Sequence, residues 1–198
     1  MAAFHYSNNT EYGFDCELAD MNDNLHYVGV ASATAVSTAL TCGLSSDKWV
    51  QLFVSKIVDI PMQKPPAEGI VSVSSCVEII SQRVIKTPTV TGYTDASGAF
   101  IPGDAIPNAE CSLLTGRKLI IEGLITQKVI YTALEEEQSL HSATFVIPFS
   151  TFIVIDTDTA LSKNFRVQPY LEDVFTCMLS ENSFFVNDTL FIKASTVC

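Results

Sequence analysis

The feature that most constrains the fold is a series of apolar, β-branched segments that begins at Lys48 and continues to the end of the chain. Turn-forming residues bound each segment, and none shows the 3.6-residue apolar spacing of an amphipathic helix. The pattern predicts six strands, over residues 49–60, 71–88, 118–133, 142–155, 166–179 and 184–193. Strands in succession without helices favour an all-β fold, an antiparallel β-sandwich with a jelly-roll-like arrangement.

Two of the predicted strands have similar sequences. Residues 77–87 (VEIISQRVIKT) recur as residues 121–132 (IEGLITQKVIYT), with one extra residue beside Gly123. An inserted residue next to a glycine is typical of a β-bulge. We therefore expect two related long strands, the first regular and the second bulged at Gly123.

The first 47 residues differ from the rest of the chain. Residues 1–24 are rich in Asn, Ser, Thr, Asp and Tyr, and residues 28–44 (VGVASATAVSTALTCGL) are small or β-branched. The β-branched content favours an extended state over a helix, and a run so poor in large side chains cannot form a core alone. We predict an extended N-terminal arm over residues 1–47, which assembles against another surface, and a β-sandwich domain over residues 48–198.

Composition excludes several classes of partner. The net charge is −11, and the basic residues are scattered, with Arg117 and Lys118 the one adjacent pair. A nucleic-acid binder carries a basic stripe, so neither nucleic acid nor an anionic membrane surface is expected as a partner. The apolar runs fall short of the roughly 18–20 residues that cross a bilayer. The N-terminal residues have no secretory signal pattern, which predicts synthesis in the cytoplasm.

The six cysteines lie singly and show no zinc-binding spacing. Some are expected to be buried small apolar side chains. Three are candidates for inter-subunit disulfides, because they lie in the arm or at the chain end: Cys16, Cys42 and Cys198. Their connectivity, and whether the links lie within or between chains, stays open, as do other covalent links such as isopeptide bonds.

No sequence pattern points to catalysis. His5, His26 and His141 are far apart, and the motifs of serine hydrolases, zinc proteases and nucleotide-binding loops are absent. We therefore expect no enzymatic activity, no catalytic residue and no cofactor.

Two groups of carboxylates offer oxygen ligands of the kind that calcium prefers, yet neither matches an EF-hand loop. The groups are Asp95, Asp104 and Glu110, and Asp156 with Asp158. No metal site is predicted; bound calcium, and with it a lectin-like role, stays an open alternative.

Several segments together resemble one known family. They are residues 64–66 (KPP), 115–123 (TGRKLIIEG), 127–133 (QKVIYTA), 138–143 (QSLHSA), 147–154 (IPFSTFIV), 170–174 (YLEDV), 186–187 (VN) and 190–194 (LFIKA). In this order and spacing they are similar to the SPOCS domain, a sporulation-associated domain of anaerobic spore-forming bacteria. The resemblance covers roughly residues 49–194.

The resemblance implies a role in the spore envelope and no catalytic residues. Some family members carry a peptidoglycan-binding LysM module and recruit a coat-assembly ATPase, and others are components of the coat or exosporium. This chain has the N-terminal arm in place of a LysM module. We therefore expect a structural subunit, made in the mother-cell cytoplasm, that polymerises head to tail through its arm into filaments or lattices on the spore surface. The alternative is an adaptor that binds another spore-coat protein without polymerising.

Overall fold

The computed structural model describes residues 26–41, 48–88, 92–102 and 115–196. Within these ranges the chain forms one helix, α1 at Ala33–Thr41, and nine strands. The strands are β1 His26–Val28, β2 Lys48–Asp59, β3 Ala67–Lys86, β4 Gly92–Thr94, β5 Phe100–Pro102, β6 Arg117–Ala133, β7 Leu140–Val154, β8 Phe165–Ser180 and β9 Ser183–Thr196. The all-β class is therefore confirmed, and each of the six predicted strands is present.

The long strands form two sheets. Sheet A has the order β1-β3-β6-β7 and sheet B the order β2-β9-β8, while β4 and β5 form a separate hairpin. Every pairing is antiparallel except that of β1 with β3, which is parallel. Within the described residues, β2 and β7 are the open edges on one side of the molecule, where they contact each other, and β3 contacts β8 on the other side.

The inner faces of the two sheets share one hydrophobic core. Strand β6 shows the alternation that produces it, since every second side chain from Leu119 to Ala133 is buried. Side chains that alternate between the faces of a strand place one set in the core and leave the other at the surface. The jelly-roll arrangement, and the division of the chain at residue 48, stay predictions.

The prediction of an extended conformation across residues 28–44 is wrong, because residues 33–41 form α1. The β-branched residues of this run are outweighed by local helix signals. Ser32 provides an N-cap, with its side-chain oxygen accepting from the backbone N–H of Ala35 at 3.1 Å, and alanine is the strongest helix former. An extended stretch remains, but it is the three-residue strand β1.

The predicted bulge is present at the right level of the sheet but on the other strand. The register between β3 and β6 shifts between Ile79 and Ser81, so that Ile80 is the extra residue, while Gly123 pairs with Ile79. The pairing of β6 with β7 runs without a shift. Thus the first copy of the repeat is the bulged strand and the second is the regular one.

Candidate assembly surface

Residues 26–41, called here the N-terminal segment, lie against the side of the molecule where β3 faces β8. Strand β1 adds to sheet A in parallel, with Tyr27 level with Val73 and Val28 level with Ser74. Gly29 follows with a φ of 105°, and a Cβ at this position would overlap the backbone oxygen of Ser75. A side chain is therefore excluded at Gly29 by both its backbone conformation and the close approach of β3.

Tyr27 anchors the segment in the space between the two sheets. Its ring is half-buried and packs against the hydrophobic core. Burial raises the pKa of the phenol; a hydrogen bond with the backbone of Thr176 opposes this rise, and the carboxylate of Asp173 adds to it. Tyr27 thus joins β1 of sheet A to β8 of sheet B through one side chain.

The segment then crosses to sheet B. The backbone N–H of Ala31 donates to the carbonyl oxygen of Leu171 on β8, at 2.7 Å. Leu171 adjoins a bulge, because the register between β8 and β9 shifts between Leu171 and Asp173. A bulge disrupts the local ladder and bends the strand, which gives the crossing segment a point of attachment on β8.

Helix α1 lies against β8 and is tied to β9 through one buried lysine. The ammonium group of Lys193 donates to the backbone oxygen of Ala39 at 2.6 Å, and both residues are buried. A cation near the last carbonyls of a helix satisfies an acceptor that has no partner within the helix and interacts favourably with the helix dipole. Lys193 therefore fixes the C-terminal turn of α1 to sheet B.

A second feature is a row of exposed apolar side chains on the open edge strand β2. Trp49, Phe53 and Ile57 are 53%, 74% and 49% exposed, and their spacing of four residues places them on one face. We call these three residues the β2 stripe. Its first ring packs on sheet B, since the ring centroids of Trp49 and Phe191 are 5.8 Å apart.

The candidate inter-subunit cysteines Cys16, Cys42 and Cys198 lie outside the described residues, so their pairing stays a prediction. Cys76, which is not one of these three candidates, is a free and exposed thiol on β3. It lies two residues beyond Ser74, the last residue that pairs with β1. The N-terminal segment therefore ends its strand pairing close to an exposed thiol.

Three of the histidine and carboxylate candidates, His141, Asp156 and Asp95, have local structural partners. The Nε2 atom of His141 lies 3.1 Å from the hydroxyl of Ser139, and Asp156 forms an ion pair with Lys48 at 3.2 Å. The side chain of Asp95 caps its own turn, accepting from the backbone N–H groups of Ser97 and Ala99 at 2.9 Å each.

His5, Asp104 and Glu110 lie outside the described residues. Among the residues with assigned positions, no three His, Cys, Asp or Glu side chains come together as a metal site would require. In the same part of the chain, no helix has the length and apolar character needed to cross a membrane.

Sequence reasoning missed two residues that hold the N-terminal segment, Tyr27 and Lys193. Tyr27 is a large aromatic residue next to a run of small side chains, and this contrast was an available signal. Lys193 is only 8% exposed, and it lies in β9 within a run of five buried residues, 190–194. A lysine among apolar strand residues pointed to a buried partner, but the sequence did not indicate the carbonyl of Ala39.

A comparison with protein-family models matches the family described as SipL, SPOCS domain, to residues 66–179. The match begins just before β3 and ends one residue before the end of β8, so it covers β3 through most of β8. It leaves out the N-terminal segment, β2 and β9. No curated protein and no solved structure gives a match.

Proposed function

We propose that this chain, which belongs to the SPOCS domain family, is a non-catalytic, self-assembling structural subunit of a bacterial spore's outer layer. The family makes it a sporulation-related protein. One observation in particular supports the proposal that the chain is a self-assembling structural subunit. The N-terminal segment lies outside the family match, and it is held on the domain by contacts that a second copy of the chain supplies equally well.

The contacts described above are local. They include three paired positions on β3, the Tyr27 ring, a backbone hydrogen bond at Leu171 and the bond from Lys193. A strand of three residues and a helix of nine are too short to be stable by themselves. Such segments open at low free energy compared with the core strands, which makes the N-terminal segment the part of the fold most easily exchanged.

Exchange between subunits preserves each contact while it links two chains. If the segment of one subunit occupies the β3 and β8 edges of the next, the strand pairing and the Tyr27 site are unchanged. This is strand addition by an extended segment, with main-chain hydrogen bonds supplying affinity and side-chain sites supplying specificity. A contact of this head-to-tail type does not close on itself, so it produces filaments or lattices.

Disulfides through Cys16, Cys42 or Cys198 are proposed to strengthen the joints after assembly. Thiols made in a reducing cytoplasm remain reduced until the protein reaches an oxidising environment. Electrophoresis of heated polymer without and with reductant tests this point. A ladder of multimers that collapses on reduction supports the cross-links, whereas a single monomer band in both lanes argues against them.

Truncation tests the assembly model itself. Deletion of residues 1–44 removes the N-terminal segment, and we expect a soluble monomer by light scattering and no filaments by negative-stain microscopy. Normal polymerisation of the truncated chain would show that the segment is not the joint. Circular dichroism on the same sample establishes whether the β domain remains folded.

A substitution within the full-length chain provides a test without truncation. Gly29→Val introduces a side chain where Ser75 leaves no space and where φ is 105°, so it prevents seating of the segment in either chain. We expect polymer formation to be lost while the sheets stay folded. Val28→Thr is the matched control, because Val28 is 49% exposed and threonine keeps its shape. Equal polymerisation of the two variants would contradict the model.

The proposed location is the spore surface, with synthesis in the mother-cell cytoplasm, and the proposed partners are other copies of the chain and further coat proteins. Immunogold labelling of sectioned sporulating cells tests this proposal. Label is expected over the coat, exosporium or appendages. Label confined to the mother-cell cytoplasm after spore maturation would contradict it.

The adaptor alternative has its own support in the β2 stripe. Exposed aromatic and aliphatic side chains on an open edge strand are typical of protein-binding surfaces. An adaptor forms a discrete complex with one hetero-partner and no polymer. Phe53→Ser alters the most exposed residue of the β2 stripe. If the chain is an adaptor, this substitution is expected to abolish binding of the hetero-partner. If the chain is instead a self-assembling subunit, the variant is expected to polymerise as the wild type does.

A further inference from the structure

Four polar side chains from four different strands meet in the core between the two sheets. Ser75 on β3 and Gln127 on β6 belong to sheet A, and Thr176 on β8 and Asp188 on β9 belong to sheet B. Gln127 and Asp188 are 0% exposed. The amide nitrogen of Gln127 lies 3.2 Å from the Ser75 hydroxyl, 3.4 Å from Oδ1 of Asp188 and 3.5 Å from the Thr176 hydroxyl. The amide is therefore the centre of the cluster.

Two atoms of this cluster are left without a hydrogen bond. Oε1 of Gln127 and Oδ2 of Asp188 are buried, and neither has a partner among the described residues. Both are acceptors when Asp188 is ionised, and neither can satisfy the other. Buried acceptors without a donor cost free energy, and a buried carboxylate without a paired charge costs more. A proton on the carboxyl group would give the cluster the donor that these acceptors need.

We propose that Asp188 and Gln127 share one proton, held on Oδ2 of Asp188 and donated to Oε1 of Gln127, in a site that Tyr27 closes off from water. The amide nitrogen of Gln127 donates to Oδ1 in return. The two planar groups are then joined by two parallel hydrogen bonds that tie sheet A to sheet B. The proposal concerns the single subunit and stands whether or not the protein polymerises.

The charges around the carboxyl favour the proton. The pKa of Asp188 is raised to about 6, mainly by burial and in smaller part by the carboxylate of Asp173 on β8, while a hydrogen bond with Ser75 opposes the rise. Sheet A contributes neutral Ser75 and Gln127 to the cluster. Strand β2 places Val54 level with Asp188 and carries exposed Lys56 two residues further along.

Tyr27 lies beside the cluster on the side of the N-terminal strand. It packs against the core, contacts the backbone of Thr176 and lies near Asp173, and β1 pairs with the part of β3 that ends at Ser74, next to Ser75. Two of the four cluster residues, Ser75 and Thr176, are therefore next to residues that β1 contacts or are contacted by it directly. Water that reaches Asp188 stabilises the charged form of the carboxyl group. Because the seated Tyr27 ring excludes this water, it favours the protonated form, and by linkage protonation of Asp188 favours the seated position of Tyr27.

Titration of the wild-type protein tests the proton directly. Following the carboxyl carbon of Asp188 by NMR, we expect a midpoint near 6, whereas a midpoint in the ordinary range near 3.8 would overturn the proposal. The titration needs no variant, so a folding defect does not affect it.

Asp188→Asn provides a second measurement, because asparagine supplies a permanent N–H at the Oδ2 position. We expect the folded-to-unfolded ratio at pH 8 to rise roughly a hundredfold, because the pKa of Asp188 is shifted from 3.8 to about 6 and each pKa unit corresponds to a factor of about ten. Asp158→Asn removes the same charge from an exposed position outside the cluster and is the matched control. A D188N variant that is less stable than wild type at pH 8 would overturn the shared proton.

Substitution of Tyr27 tests the closure. Tyr27→Ala is expected to lower the Asp188 midpoint towards its ordinary value, because water then enters beside Thr176. Tyr27→Phe keeps the ring and is expected to leave the midpoint near 6. An unchanged midpoint in Tyr27→Ala would show that the N-terminal strand does not close the site.

Discussion

Gly123 on β6 lies directly against the ring of Phe149, its partner on β7. A Cβ on Gly123 would stand 2.5 Å from Cζ of that ring and 2.6 Å from the backbone oxygen of Glu78 on β3. The glycine is thus enclosed by both neighbouring strands of sheet A. Because Gly123 has no side chain, the ring of Phe149 can lie close against the backbone of β6 at this position.

Gly123→Ala is therefore expected to destabilise the domain by about 1–3 kcal/mol, the usual range for overpacking a close-packed core. Chemical denaturation measures the change. Gly69→Ala is the control, because a Cβ there meets Thr132 at an ordinary contact distance of 3.5 Å. Equal stabilities of the two variants would contradict the close approach of Phe149.

Tyr131 is fully buried, and its hydroxyl donates to the carbonyl oxygen of Pro65 at 3.1 Å. Tyr131→Phe removes this bond and leaves a carbonyl without its donor, so a loss of about 1 kcal/mol is expected. Burial also raises the pKa of the phenol, so stability is lost as the pH rises above 10. In an absorbance titration, the phenolate of Tyr131 is expected to appear only at the pH at which the protein unfolds. Ionisation of Tyr131 in the folded protein at a lower pH would contradict its burial.

The free energy of unfolding should carry a contribution from Asp188 that falls with rising pH. The pKa of this carboxyl is about 6 in the folded chain against an ordinary 3.8. The stabilisation is complete below about pH 4 and is lost as the pH rises through 6, with a total of about 3 kcal/mol at 1.36 kcal/mol per pKa unit. The difference between wild type and Asp188→Asn across this range isolates the contribution. A difference that is constant with pH would contradict it.

Assembly should depend on salt, because each subunit carries a net charge of −11. Like-charged subunits repel each other, and added salt screens this repulsion over about 10 Å at 0.1 M. Polymerisation followed by light scattering is expected to be faster at 0.3 M than at 0.02 M sodium chloride, with the subunits remaining folded. Slower assembly at the higher salt would indicate joints held by ion pairs.

The strands could be predicted from sequence because each long strand alternates apolar and polar residues between turn signals. Strand β6 is the clearest case, with buried residues at every second position from Leu119 to Ala133. Helix α1 could not be predicted in the same way. Its alanines and the Ser32 N-cap compete with the β-branched residues of the run, and the Lys193 bond that holds its last turn is a tertiary contact that the sequence does not indicate. The β-branched residues of this run therefore pointed to the wrong conformation.

The bulge was placed on the wrong strand for a similar reason. Sequence showed one residue more in the second copy of the repeat, but only pairing decides which strand holds the extra residue. Ile80 on β3 holds it, and Gly123 serves the contact with Phe149. The cluster around Gln127 and Asp188 was also missed, although each lies at an inward position of its strand's alternation. A polar residue at such a position is a sequence signal for a buried partner.

Cross-linking between two singly substituted chains tests the exchange of the N-terminal segment most directly. Val28 and Ser74 are paired positions on β1 and β3, close enough for a disulfide. One chain carries Val28→Cys and the other, isotopically labelled, carries Ser74→Cys, both with Cys76→Ser to remove the nearby thiol. A chain with both new cysteines, kept under non-polymerising conditions, shows by its internal disulfide that the pair can form.

In the mixed polymer, the account predicts a cross-linked peptide with one labelled and one unlabelled half, identified by mass spectrometry after oxidation and digestion. Neither chain alone contains both cysteines, so this peptide requires the segment of one subunit to sit on β3 of another. Polymer that forms from the mixture but yields no such peptide would contradict assembly through the N-terminal segment.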